Sequence, residues 1–370
     1  MKLGILTSSR ADFGIYSALL NRLKNTENIS FEVIVFGTHL SKEHGYTVNE
    51  IEKYRFQHVL VETIVGDQDP KSISKAYANT TDAFAEFWGE SNYDLVLCLG
   101  DRYEMNAAVQ AGIPYGVNFG HFHGGETTLG AFDNIYRHQI TLAAKYHFPA
   151  ADEFAKRIKQ LIDDDKNIYP VGSISLADIT DIERVPRAAL TEEFRIPNKP
   201  FILCTFHPET VNYEANETIC KVINELLDSF PESHHPVVSL PNADTFGSRI
   251  RETLVKFRNE RPESVTLVEN FGKSNYFSAM SYADLMIGNS SSGIIEAASF
   301  GLHVINIGDR QKDRLQSENV INLPFDTNQI LNGIDKALNL AEFAGENVYT
   351  KKNTIDNVIE ILEDIGNGKL

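Results

Sequence analysis

Cysteine is scarce in this chain, with three in 370 residues, and Cys98, Cys204 and Cys220 stand far apart. An odd, scattered set does not frame a disulfide scaffold. Two of the three sit inside apolar runs, "YDLVLCLG" and "FILCTF", as buried reduced thiols do. Long apolar stretches are lacking too: none approaches the roughly 18 residues of a membrane span, and the apolar run in the opening "MKLGILTSSR" is too short for a secretory signal. These shortages point to a cytoplasmic protein without a membrane partner. Basic residues are outnumbered, 34 Lys and Arg against 51 Asp and Glu, for a net charge of -17. A field of that sign repels polyanions, so no nucleic-acid partner is expected. Any anionic ligand has to be held by a few local cations and backbone dipoles.

What the chain does contain is an ordered globular composition, 42% hydrophobic with 24 Gly and 13 Pro. Its length exceeds what one core usually organises, so two domains are expected. Short Val/Ile/Leu-rich runs alternate with segments of helical period: "KLGILTSS" then "YSALLNRLK", "YDLVLCLG" then "EMNAAVQAG", "PYGVNFG" then "DNIYRHQITLAAK". The alternation restarts near residue 200 with "FILCTFH", "HPVVSL", "VTLVEN", "DLMIGN" and "HVINIG". Apolar runs that alternate with helices make a parallel sheet wrapped on both faces. The reading is α/β, with two doubly wound, Rossmann-like domains over 1–170 and 171–352, joined through a proline-punctuated stretch at 171–200. No repeat of 20–50 residues is visible.

Polar residues cluster just after the apolar runs, in "TSSRAD", "GTH", "GDRYE", "GHFHGGE", "FHPET", "PNAD", "GNSSSG" and "GDRQKDR". Ligands of open α/β sheets bind at that carboxyl edge, so the function is expected in a central cleft faced by the two domains. "IGNSSSGIIEAASFG" reads as strand, tight turn and helix, where Ser hydroxyls and free N–H groups either cap the helix or bind phosphate. Glu296 lies too far along that helix to help an anion and suits ribose hydroxyls. Arg10, Arg102 and Arg310 each follow an apolar run; singly they are surface residues, but together in an acidic protein they suit a pyrophosphate. Asp101 and Glu126 end strand units with glycine beside them, and Asp133 is either a catalytic acid or the first-turn acid of its helix. His121 and His123 of "HFHGGET" point to one side of an extended chain. No HExxH or CxxC completes a metal shell, so structural histidines and a metal-free catalytic loop remain the main readings, with no cofactor required. His207 ends the first strand of the second domain, within reach of an anion.

In combination, "SSRADFG", "LGDRYE", "HFHGGE", "YRHQIT", "FHPET", "NAD", "IGNSSSG" and "NIGDRQ" resemble the hydrolysing UDP-N-acetylglucosamine 2-epimerases of sialic acid biosynthesis, from residue 5 to about 315. The resemblance implies a GT-B architecture whose C-terminal helix, about 353–370, returns to the first domain, and a UDP-sugar as partner. It implies that Arg10 and Arg310 hold the diphosphate with His207, Ser290 and Ser291, that Glu296 binds ribose, and that Phe271 lies near uracil. Asn242 and Arg102 fall at sugar-side positions, and Asp12 and Gly293 complete the substrate contacts. Asp101, Glu126, Asp133, His123 and His207 form the catalytic group. Some relatives carry a glutamate where this chain has His123, which leaves the C2 base open among Glu126, His123 and Asp133.

The chemistry so implied is elimination. A pyranose C2 proton is too weakly acidic for simple removal, so its loss is concerted with departure of UDP, and water then adds to the 2-acetamidoglucal to give free N-acetylmannosamine. A UDP-2,4-diacetamido-2,4,6-trideoxy-hexose would undergo the same steps, and a glycosyltransferase or a nucleotide-sugar sensor would share the nucleotide site. A homo-oligomer is compatible with all of these readings.

Overall fold

A computed structural model describes residues 1–43, 45–66, 69–128, 132–179, 182–209, 215–241 and 247–370. It divides the chain into two units, Met1–Glu126 with Asp133–Asp178 and Tyr349–Leu370, and Thr127–Phe132 with Ile179–Val348. Sequence reasoning put the connection at 171–200 and the returning helix at about 353–370; the first unit runs on to Asp178, and the return begins at Tyr349.

The first unit is built from β1 (Lys2–Thr7), α1 (Arg10–Leu23), β2 (Ser30–Val35), α2 (Val48–Lys53), β3 (His58–Leu60), α3 (Pro70–Glu90), β4 (Leu95–Leu99), α4 (Tyr103–Gly112), β5 (Phe119–Phe122), α5 (Asp133–Ala143), β6 (Tyr146–Phe148) and α6 (Asp152–Ile162). Its parallel sheet has the order β3-β2-β1-β4-β5-β6, so the winding reverses between β1 and β4. At such a switch point the loops diverge and leave a crevice beyond the strand ends. In β4, Leu95, Leu97 and Leu99 enter one core while Val96 and Cys98 enter the other, because alternate side chains leave opposite faces of a strand. Both faces are covered by helices, which is why these strands read as unbroken apolar runs rather than as alternating ones.

The second unit contains α7 (Arg187–Phe194), β7 (Phe201–Thr205), α8 (Ala215–Asp228), β8 (His235–Ser239), α9 (Gly247–Glu260), β9 (Thr266–Val268), α10 (Lys273–Tyr282), β10 (Leu285–Gly288), α11 (Ser291–Ile295), β11 (Val304–Ile307), β12 (Val320–Leu323) and α12 (Thr327–Leu338). Its parallel sheet runs β12-β11-β10-β7-β8-β9, the same winding with the reversal between β7 and β10. Ile202 and Cys204 face one core, Phe201 and Leu203 the other. The last helix, α13 (Thr354–Gly366), belongs to the first unit and buries Val358 and Leu362 in its core.

Helix starts follow capping chemistry. Ser9 caps α1, Asp69 accepts from the N–H groups of Lys71 and Ser72 with Pro70 at the first position of α3, and Asp326 caps α12. Cys98 and Cys204 are buried free thiols, with burial pushing both up from the ordinary thiol range. Among the described residues no helix is long and apolar enough to cross a membrane.

Candidate active site

At the switch point of the first sheet, the chain leaving β1 is folded onto its own helix start. Ser8 donates from N and Oγ to Asp12 Oδ2, at 3.0 and 2.8 Å, while the Ser9 hydroxyl caps α1. Asp12 is thereby buried and spent on shaping the loop. Arg10, half-buried in the first turn, forms no hydrogen bond or ion pair with the described residues. Behind it lies His39, fully buried between the hydroxyls of Thr7 and Thr47 at 2.9 and 2.8 Å. Burial, with Arg10 nearby, lowers the His39 pKa to about 4 and keeps the ring neutral.

The acid–base cluster grows from β4 and β5. Gly100 turns the chain with a φ of 75°, and Asp101 follows. After β5, His123 itself takes a φ of 61°, a left-handed conformation that only over-determined surroundings sustain in a residue with a Cβ. Gly125, at a φ of 77°, completes the turn; a Cβ there would lie 2.5 Å from the Phe154 carbonyl oxygen. This turn brings Glu126 back onto its own loop, so that Oε1 lies 2.7 Å from His123 Nδ1. From α5, Arg137 donates through Nη1 to the His123 carbonyl at 2.7 Å and approaches Glu126 Oε2 at 3.7 Å. Its Nη2 donates to Asp101 Oδ2.

Burial grades this cluster. The Glu126 side chain is 0% exposed, that of His123 8% and that of Asp101 25%. Glu126 is therefore fully buried against His123 and Arg137, His123 is nearly buried, and Asp101 is the most exposed of the three. On the other side of the ring, Ser173 Oγ lies 3.3 Å from His123 Nε2 and 2.9 Å from Ser175 Oγ.

The first histidine of the motif is held inside the fold. His121 is fully buried, with Nε2 bonded to the Gly100 carbonyl at 2.9 Å and Nδ1 3.1 Å from Thr141 Oγ1. Burial lowers its pKa to about 3. Asp133 is the half-buried first residue of α5, one turn before Arg137. Arg102 spends its fork on Glu104, with contacts of 3.3 and 3.0 Å to a carboxylate that is fully buried. Among the described residues no group of His, Cys, Asp and Glu side chains is arranged to hold a metal ion.

In the second unit the switch point is tied together by Asn289, directly after β10. Its side chain accepts from the His207 N–H at 2.7 Å and donates to the His207 carbonyl at 2.8 Å. Its own carbonyl accepts from Arg310 Nη1 at 3.2 Å and Gln311 Nε2 at 2.9 Å. Three loops, those after β7, β10 and β11, thus meet at one buried asparagine. Gly288 permits this approach: its φ is 136°, and a Cβ would sit 1.9 Å from the Thr205 carbonyl oxygen. Glu209 Oε1 accepts from the Asp309 N–H at 2.9 Å and so fixes the turn that carries Arg310.

Ser290 caps α11 and lies 3.0 Å from the Ser292 hydroxyl, which in turn meets the Tyr276 hydroxyl at 2.7 Å. Ser291 opens the helix, and Glu296, nearly buried, ends it. Gly293 lies on the face packed against Val304 and Met286, where a Cβ would come within 3.0 Å of Val304 Cγ1. The Phe271 ring is buried against Phe194 and Tyr276. Asn242 lies outside the described residues.

Sequence reasoning missed Arg137, Glu104, Ser173, Glu209, Asn289 and Gln311. Arg137, Glu104, Glu209, Asn289 and Gln311 stand inside or beside quoted motifs, in "YRHQIT", "GDRYE", "FHPET", "GNSSSG" and "GDRQ". Their partners are distant in the chain, so only Glu104, beside Arg102, carried a local signal.

Comparison with known proteins identifies the family. Residues 21–363 match the family model described as UDP-N-acetylglucosamine 2-epimerase. The chain is 31% identical to the polysialic acid biosynthesis protein P7 of Escherichia coli, over 98% of this chain and 94% of that one. It is also 31% identical to the UDP-N,N'-diacetylbacillosamine 2-epimerase (hydrolyzing) of Legionella pneumophila, over 98% and 96% respectively. Among solved structures, the UDP-GlcNAc 2-epimerase from Neisseria meningitidis bound to UDP-GlcNAc superposes with a TM-score of 0.81 at 16% identity, over 98% of this chain and 100% of that one.

Proposed function

Because the chain belongs to the UDP-N-acetylglucosamine 2-epimerase family, we propose that it is the hydrolysing kind of UDP-sugar 2-epimerase, converting UDP-N-acetylglucosamine and water to N-acetylmannosamine and UDP. The observation that carries this reading is the Glu126–His123 pair, clamped by an arginine that also holds Asp101. It is a set of proton-transfer groups built at the carboxyl edge of a sheet.

In this reading the second unit holds the nucleotide. Arg310, His207 and the Ser290–Ser291 turn bind the diphosphate, and Glu296 accepts from the ribose hydroxyls. Arg10, on the first unit, pairs with no described carboxylate and is likewise proposed as a phosphate-binding cation. Arg102, paired with Glu104, is a sugar-side candidate. Asn242 remains a sugar-side candidate, Gly293 supports α11 by packing, and Asp12 shapes the Arg10 loop.

In this reading the proton transfers fall to His123 and Asp101. His123 removes the C2 proton as the C1–O bond to UDP breaks, giving the 2-acetamidoglucal. Asp101 serves the opposite face, where a proton returns to C2 as water adds at C1. Glu126 fixes the tautomer of His123, and Asp133 lies one turn from the arginine that orders the group. A positioned acid or base of this kind contributes roughly 10²–10⁴ in rate.

The test is incubation with UDP-N-acetylglucosamine in D₂O without an acceptor. C2-deuterated N-acetylmannosamine and UDP in equal amounts are expected. Accumulation of the UDP-linked mannose isomer would overturn the hydrolysing assignment. Tight UDP binding without turnover would overturn the enzymatic one. The relative named for N,N'-diacetylbacillosamine makes the UDP-linked diacetamido sugar the second donor for the same assay. A much higher kcat/KM on that donor would reassign the substrate and leave the chemistry intact.

A further inference from the structure

We infer that Ser173 is a positioning residue for His123, and that the C-terminal return of the chain builds it into place. This rests on the acid–base role proposed above for His123.

The hydrogen-bond chain Ser175–Ser173–His123–Glu126 has a definite polarity. With Glu126 ionised, and so able only to accept, and with the imidazole neutral, the proton is on Nδ1, 2.7 Å from the carboxylate. Nε2 is then an acceptor, and the hydroxyl 3.3 Å away donates to it. Ser173 Oγ, having given its proton to Nε2, accepts from Ser175 at 2.9 Å. One member that can only accept thus orients every other member. The ring is held at both nitrogens, so it does not swing about the Glu126 bond alone. The longer bond, to Ser173, is the one that gives way when Nε2 takes a proton.

Ser173 is itself fixed from the far end of the sequence. Its N–H donates to the Tyr349 carbonyl at 2.8 Å, and Thr354 Oγ1 donates to the Val171 carbonyl at 2.8 Å. Between them Gly172 takes a φ of 89°, and a Cβ there would lie 2.9 Å from Thr354 Oγ1 and 3.0 Å from Lys351 N. Tyr349 is fully buried, with its ring 5.9 Å from that of Phe154 on α6, the helix that also backs Gly125. The segment 349–354 therefore braces one side of the His123 loop through Ser173 while α6 braces the other.

The test compares Ser173→Ala, Ser173→Thr and Gly172→Ala in the full chain. Ser173→Ala is expected to lower kcat about tenfold, with KM and UDP inhibition within about twofold of the parent. Threonine, which keeps the hydroxyl, is expected to recover most of the rate, and Gly172→Ala to behave like Ser173→Ala. Independently of turnover, the free protein labelled with ¹⁵N-histidine should show a sharp, slowly exchanging Hδ1 resonance for His123 that broadens in Ser173→Ala. Unchanged kcat and an unchanged resonance in Ser173→Ala would overturn the inference. So would a parallel loss of UDP affinity, which marks a general structural defect. A broadened resonance in a protein inactive on both donors would sustain the positioning role and sink the proposed reaction instead.

Discussion

Replacing Glu126 by Gln tests the acid–base cluster most directly. The substitution keeps shape but removes the charge that accepts from His123 Nδ1 at 2.7 Å and faces Arg137 Nη1 at 3.7 Å. A glutamine amide offers one acceptor and one donor group. If its oxygen stays on Nδ1, its NH₂ points at the guanidinium; if it flips, its NH₂ points at the imidazole and drives the proton to Nε2. The first arrangement leaves a neutral acceptor on Nδ1 and sets a donor against the guanidinium, and the second loses the bond to Nδ1; either gives up the charge-assisted character of the His123 bond, which contributes about 1.5–3 kcal/mol. At about 1.4 kcal/mol per factor of ten, that corresponds to a fall in kcat of roughly 10- to 100-fold. UDP affinity is assigned to other residues, so it is expected to change by less than about twofold. Steady-state kinetics with UDP as product inhibitor measure both quantities. A fall in UDP affinity as large as the fall in kcat, or a kcat unaffected by the change, would refute the assignment of Glu126 to the imidazole.

Asn289→Ala strips two hydrogen bonds from the buried His207 backbone, and at about 1–3 kcal/mol for each group left unsatisfied it is expected to weaken UDP binding at least tenfold by calorimetry; unchanged affinity would show that the three loops hold themselves. Arg310→Ala is expected to raise the UDP dissociation constant while leaving thermal stability within a few degrees; the reverse pattern would make Arg310 a structural residue. Gly288→Ala forces a Cβ onto the Thr205 carbonyl 1.9 Å away and is expected to lower the melting temperature sharply, measured by scanning calorimetry. A parent-like melting temperature would show that the strand ends separate without cost. Acid stability follows from the buried histidines: His121 is lowered to about 3, and His39 and His147 to about 4, each chiefly by burial. Their unfolded forms bind protons near pH 6.5, so the native state is favoured above that value and loses roughly 1.4 kcal/mol per group per pH unit as pH falls from about 6.5 toward 4. Urea midpoints should drop steeply across that window, and a flat profile between pH 7 and 5 would contradict the buried neutral assignment.

The sequence by itself determined the elements and the edge at which chemistry is found. Strands buried on both faces read as continuous apolar runs, helices begin at Ser9, Asp69 and Ser290 where a side chain caps free N–H groups, and the polar clusters mark where each strand stops. That was enough to nominate Asp101, His123, Glu126, His207, Ser290 and Arg310 as candidates, because each stands in a turn at a strand's carboxyl end. Alternation along a strand treats His121 and His123 alike, and only the resemblance singled out His123. The fold supplies the physical ground, bonding His121 to Gly100 and Thr141 and turning His123 through a left-handed bend onto Glu126. The tertiary structure alone likewise joined Arg137 to Asp101, Ser173 to His123 and Asn289 to His207, pairs 36, 50 and 82 residues apart. The physical reason is that a capping or turn preference acts over a few residues. A hydrogen bond between side chains on different elements requires the strand order and the helix packing that only the closed core supplies.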